Sequence, residues 1–82
     1  MKTRELLNEI EESIDLPPGT LKGTERLEDI EGWDSLAVIM FIALVDEKMG
    51  LAVEGEKLVT AETLHDVLGL VKQGLDDYPA AA

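Results

Sequence analysis

The sequence predicts an all-α fold: a small bundle of three main helices plus one short helix, with a long loop between the first and second. Three observations predict it. Apolar residues recur at helical spacing, with no strand-like alternation and no internal repeat. Turn residues punctuate those segments at their ends, at Pro17-Pro18-Gly19 and at Gly50. The length, 82 residues, suits one domain with a single thin core. A compact chain of this size has a radius of gyration of about 12 Å.

The elements follow in order. Thr3 is placed to cap a first helix in which Leu6, Leu7, Ile10 and Ile14 form one apolar stripe, with Glu5, Glu9, Glu11 and Glu12 on the solvent side. Pro17 and Pro18 stop that helix, because neither can continue the backbone ladder. A loop over residues 15–33 comes next, long for so small a domain, and Leu16, Leu21, Leu27, Ile30 and Trp33 are its expected anchors. A short helical turn is predicted over 25–30.

The second helix is predicted over 35–49, with Gly50 as a left-handed C-cap. Its assigned inward face is Val38, Ile42, Val45 and Met49; Ala37, Met40, Leu44 and Glu47 fall on the outer side. Leu51 and Val53 return to the core, and Gly55 precedes a brief turn near 56–59. Thr63 caps a last helix over 64–75, carrying Leu64, Val67, Leu68 and Val71 inward. Gly69 within it costs roughly 1 kcal/mol relative to alanine. The expected domain is 1–75, followed by a flexible tail over 76–82.

Charge and composition exclude several functions. The net charge of −11, from 18 acidic and 7 basic side chains, makes nucleic acid and anionic membrane surfaces poor partners, whereas basic protein surfaces are attracted. The longest apolar run covers only 36–45, so no membrane insertion is expected. There are no cysteines for a disulfide or a thiolate site, which suits a reducing cytosol, and the expectation is a cytoplasmic monomer. Glu28, Asp29 and Glu31 lack the glycine and terminal bidentate glutamate of an EF-hand, so no metal is expected. His65, the sole histidine, has no Ser–Asp companions nearby in the sequence and is expected on the surface. No nucleophile–base pair stands out, and the chain is not read as an enzyme.

The stretch that carries function is Gly32-Trp33-Asp34-Ser35-Leu36, where a polar loop gives way to a long apolar helix. A serine there can cap the helix. It is also where an attached phosphate would sit well, since free N–H groups and the helix dipole favour an anion. Asp34 opposes that charge, so a local role such as capping is expected of it. Trp33 is read as a loop anchor.

Asp34-Ser35-Leu36 opening an apolar helix resembles the attachment motif of acyl carrier proteins. The resemblance extends through Leu27 and Ile30 in the long loop, Asp46-Glu47-Lys48-Met49-Gly50-Leu51 at the end of the second helix, and Thr63-Leu64-His65-Asp66-Val67 at the start of the last. It spans about residues 6–71 and implies an acyl-carrier-like bundle. It implies that a phosphopantetheinyl transferase moves 4′-phosphopantetheine from coenzyme A to Ser35, with Asp34 and Leu36 as the transferase's recognition edge. The arm's thiol then holds an acyl group as a thioester between acyl-loading and acyl-processing enzymes, as in fatty acid biosynthesis.

One departure stands out. Ala37 and Met40 occupy positions where carriers of fatty-acid synthesis usually place carboxylates. Docking through Ala37, Met40, Leu44 and Glu47 is therefore expected to be more apolar, and the pathway specialised: lipid, polyketide-like or tailoring. Two alternatives stay open, a free-standing aminoacyl or peptidyl carrier protein and an unmodified helical docking adaptor.

Overall fold

A computed structural model of the protein describes residues 1–78. It contains α1 (Thr3–Ser13), α2 (Ser35–Met49), α3 (Gly55–Thr60) and α4 (Leu64–Gly69), with single 3₁₀ turns at Leu27–Asp29 and Lys72–Gly74. No strand forms among the described residues; the one β-like contact is an isolated antiparallel bridge between Arg26 and Thr63. The Cα radius of gyration is 11.4 Å. No helix among the described residues is long and apolar enough to cross a membrane.

The core gathers one face from each helix. Leu6, Leu7 and Ile10 from α1 meet Phe41 and Val45 from α2, Leu58 from α3, and Leu64, Val67 and Leu68 from α4. Leu21, Leu27 and Ile30 anchor the long loop on this core, with Leu16 and Trp33 half-buried against it. The 3₁₀ turn at Leu27–Asp29 lies inside the predicted 25–30 turn. Leu51 and Val53 return to the core as expected.

Several local expectations change. Thr3 does not cap α1: it is the first helical residue, and its N–H is met by Asp77 Oδ1 at 2.6 Å. Glu11, assigned to the solvent side, is 0 % exposed. The loop past Pro17-Pro18 folds back over it, so its carboxylate accepts from Leu21 N (2.7 Å), Gly19 N (3.1 Å) and Arg4 Nη2 (2.9 Å). Burial alone would push its pKa up, but the Leu21 and Gly19 N–H groups and the Arg4 guanidinium outweigh burial and hold it below the ordinary value.

The last helix is shorter than predicted, ending at Gly69; the chain then tightens to the Lys72–Gly74 turn, which still carries Val71 and Leu75 inward. Gly74 permits this: a Cβ there would stand 2.5 Å from Met49 Cε and 3.2 Å from Leu51 Cδ1. Packing also continues beyond the expected boundary at Leu75. Asp76 and Asp77 hydrogen-bond to Met1 and Thr3, and Tyr78 stacks on His65, which is half-buried. Of the predicted 76–82 tail, residues 79–82 lie outside the described residues.

The α2 boundaries and its Gly50 cap (φ +66°) match expectation, but its orientation is different. The buried residues are Ala37, Phe41 and Val45, flanked by half-buried Val38, Ile42, Leu44 and Met49. Ala37, expected on the outer face, is 3 % exposed. The helix is apolar nearly all round, so hydrophobic periodicity cannot fix its phase. Packing chose the stripe containing the large Phe41 ring, which Trp33 meets edge-on at 6.2 Å.

Candidate functional site

The site is built at the loop–α2 junction. Gly32 turns the chain with φ +90°, where a Cβ would stand 3.2 Å from Ile14 Cβ and 3.3 Å from the Ile14 carbonyl oxygen. A side chain would meet both backbone strain and the end of α1, so glycine allows the loop to lie this close. Trp33 N–H then donates to the Ile30 carbonyl at 3.2 Å, and its ring packs on Phe41.

Asp34 is the N-cap of α2. Its backbone is extended, its carboxylate Oδ1 accepts from Ala37 N at 2.9 Å, and its carbonyl accepts from Val38 N at 3.0 Å. The local role expected of Asp34 is therefore capping. Ser35 follows as the first helical residue and is exposed. Because Asp34 does the capping, the Ser35 hydroxyl is not required to terminate the helix. It projects from the positive end of a 15-residue helix, a position that tolerates a phosphodiester's charge.

An open apolar groove of about 390 Å³ begins at Ser35 and runs between α2 and α3. Leu27, Val38, Leu58 and Ala61 line it, with Trp33 and Asp34 at the serine end. Leu36, Ile39 and Val59 are 64 %, 63 % and 76 % exposed. Ile39 and Val59 line the groove; Leu36 lies on the other flank of the α2 N-terminus with Asp34, Met40 and Ile14. Such exposed aliphatics around a groove mark a surface built to contact something apolar.

The sequence-predicted residues divide accordingly. Asp34, Ser35 and Leu36 are together and exposed at the start of α2. Met40 and Glu47 are exposed farther along, and half-buried Leu44 lies with them beside Glu9 and Ser13 of α1. Ala37, expected among the docking residues, is instead buried. Ile39 and Val59 are the residues that sequence reasoning misses; Ile39 is one turn beyond Ser35 and becomes visible once α2 is rotated to place Phe41 inside.

The chemistry here is that of a presented hydroxyl. Among the described residues no group of three or more His, Cys, Asp or Glu side chains is arranged to hold a metal ion. An exposed serine at a helix N-terminus, next to an apolar groove, fits a tethered phosphate with an apolar extension.

A family model for the phosphopantetheine attachment site matches residues 4–71. No curated protein and no solved structure matches the chain. The family match covers α2, α3 and α4, all of α1 but its first residue, and the whole loop–α2 junction, so this chain belongs to the phosphopantetheine-attachment family, whose members are non-catalytic carrier domains that bear 4′-phosphopantetheine covalently.

Proposed function

We propose that the protein carries an acyl group as a thioester on a 4′-phosphopantetheine arm attached to Ser35, and shuttles it between separate enzymes of a specialised lipid, polyketide-like or tailoring pathway. One observation carries the assignment of Ser35: its hydroxyl is exposed at the head of α2, freed from capping by Asp34, and opens onto the apolar groove. In the attachment step the Ser35 hydroxyl oxygen bonds to the phosphorus bearing the pantetheine. The bond from that phosphorus to the adenosine-phosphate half of coenzyme A breaks, and the serine proton is lost to the transferase or solvent. Everything reactive thereafter belongs to the arm's thiol.

The remaining roles follow from exposure. Asp34 and Leu36 form the edge offered to the transferase. Leu36, Ile39, Met40, Leu44 and Glu47 form the face offered to loading and processing enzymes, with aliphatic contact at the Ser35 end and charge farther along. The acidic balance attracts partners that ring an apolar patch with Lys and Arg, and it disfavours self-association, so the carrier works as a monomer. The aliphatic lining from Leu27, Val38, Ile39, Leu58 and Val59 suits the hydrocarbon chain of an acyl cargo. Cytoplasmic working conditions agree with the lack of cysteine.

Intact mass after incubation with coenzyme A and a broad-specificity phosphopantetheinyl transferase tests this. The expected result is a gain of one phosphopantetheinyl group, abolished by Ser35→Ala. An unchanged mass leaves the unmodified adaptor as the better reading. Trapping the native thioester separates acyl from aminoacyl cargo.

A further inference from the structure

After the last 3₁₀ turn, residues 76–78 cross the start of α1. Asp76 N–H donates to the Met1 carbonyl at 3.0 Å. Thr3 N–H donates to Asp77 Oδ1 at 2.6 Å, and Thr3 Oγ1 donates to the Asp77 carbonyl at 3.3 Å. Thr3 opens α1, and Lys2 at the N-cap offers its first turn no side-chain acceptor. Asp77 thus satisfies an orphan donor of the first helix from the far end of the sequence.

Tyr78 then lies over α4. Its ring stacks on His65 with centroids 5.5 Å apart and an interplanar angle of 23°, and its hydroxyl is 3.3 Å from His65 Nε2. A Cβ on Gly69 would stand 3.1 Å from the Tyr78 hydroxyl, so the bare backbone at that position makes room for it. α4 has only six residues, too few to be stable without tertiary contacts.

From α4 the connection runs on to the groove. Beside the Arg26–Thr63 bridge, Leu27 N–H donates to the Glu62 carbonyl at 2.9 Å and Leu64 N–H to the Glu25 carbonyl at 2.7 Å. Leu27 lines the groove beside Ser35, and so does Ala61 at the end of α3, two residues before Thr63.

We propose that residues 76–78 form a strap that holds α4 and, through the Arg26–Thr63 bridge, sets how firmly the wall of the Ser35 groove is held. Releasing the strap loosens that wall without touching the attachment chemistry. The consequence for cargo rests on the carrier function proposed above; the test of the strap does not.

Amide hydrogen exchange on the unmodified protein provides the test, comparing wild type with Tyr78→Ala and with the pair Asp77→Ala, Tyr78→Ala. In the double variant, exchange at Thr3, in α4 and at Leu27 should quicken roughly fivefold, the change expected when one helix cap is lost, while α2 keeps its rate. Tyr78→Ala alone should quicken α4 and Leu27 but not Thr3. Trp33, the sole tryptophan and a groove residue, should become more readily quenched by acrylamide in both.

Unchanged exchange in α4 overturns the strap, and so does an equal rise in all four helices. A faster α4 with Leu27 and Trp33 unchanged overturns its link to the groove. Arm attachment is read separately by mass: failure in wild type sinks the carrier function and leaves the strap standing.

Discussion

The two ends of α1 and the head of α2 handle surface in opposite ways. Around α1 the chain buries charge and satisfies it: Glu11 is fully enclosed, and Leu21 N, Gly19 N and Arg4 all converge on its carboxylate. At the head of α2 the chain leaves Leu36, Ile39 and Val59 facing water. The difference separates two tasks. A buried, fully hydrogen-bonded carboxylate fixes one conformation of a long loop, because any other arrangement strands polar groups. Exposed aliphatics stabilise nothing in the isolated chain and become useful only when something covers them.

The largest effect should come from breaking the buried end. Glu11→Ala leaves the Leu21 and Gly19 N–H groups without their acceptor, a loss of about 3 kcal/mol of unfolding free energy measurable by urea titration. Arg4 is 43 % exposed on its side chain, so the backbone donors rather than the ion pair dominate that loss. Glu11→Gln keeps an acceptor oxygen and should cost less.

Acidification attacks the same feature chemically. Burial opposes ionisation of Glu11 and Glu25, yet N–H donors outweigh it and lower both pKa values: Leu21 and Gly19 for the first, Lys22, Gly23 and Thr24 for the second. The Thr63 and Glu62 N–H groups lower Asp66, and the Thr3 N–H lowers Asp77. Each carboxyl binds its proton more weakly in the folded chain than in the unfolded one. The stabilisation is therefore complete above the ordinary carboxylate range and is lost as pH falls through and below it. Thermal unfolding followed by circular dichroism should show a falling midpoint across that window, with a shallower fall in Glu11→Gln.

Smaller changes sharpen the contrast at the Ser35 end. Gly32→Ala forces a Cβ onto a residue at φ +90° against Ile14, and should cost about 2 kcal/mol in the same urea titration while slowing arm attachment. Asp34→Ala removes the α2 cap for about 1 kcal/mol. The smallest stability change belongs to Ile39→Ser and Leu36→Ser, within about 0.5 kcal/mol, because neither side chain is packed. Their effect should appear instead as weaker binding to a loading or processing enzyme, measured by calorimetry. Equal weakening by Ala43→Ser, farther along α2, would remove the distinction.

Much of the fold is legible in the sequence because its signals are local. Gly50 closes α2 and Thr63 caps α4 through chemistry confined to a single turn, and Leu21, Leu27 and Ile30 are apolar residues stranded in a polar loop with nowhere else to go. The Asp34-Ser35-Leu36 motif at the head of α2, the proposed attachment point, stands out for the same reason. Three features were not legible. The phase of α2 is hidden because an almost wholly apolar helix has no preferred side until Phe41 meets Trp33. The burial of Glu11 depends on a loop returning over it, and reading glutamate as solvent-facing is sound until that loop is placed. The early end of α4 and the docking of Asp77 and Tyr78 are contacts between opposite ends of the chain, which no local window contains.

The Arg26–Thr63 bridge also bears on the order in which the chain folds. It joins the long loop to the last helix, so it closes only after α2 and α3, which lie between the two residues, have been gathered into a loop whose ends meet. Like the Asp76–Met1 and Asp77–Thr3 contacts, this seam cannot begin from neighbours in sequence. Contacts that close late are absent from the folding transition state, so substitutions at Leu27 or Leu64 should quicken unfolding while leaving the folding limb of the chevron nearly where it was. A chain still emerging from synthesis has its serine long before it has the last helix that steadies the groove beside it.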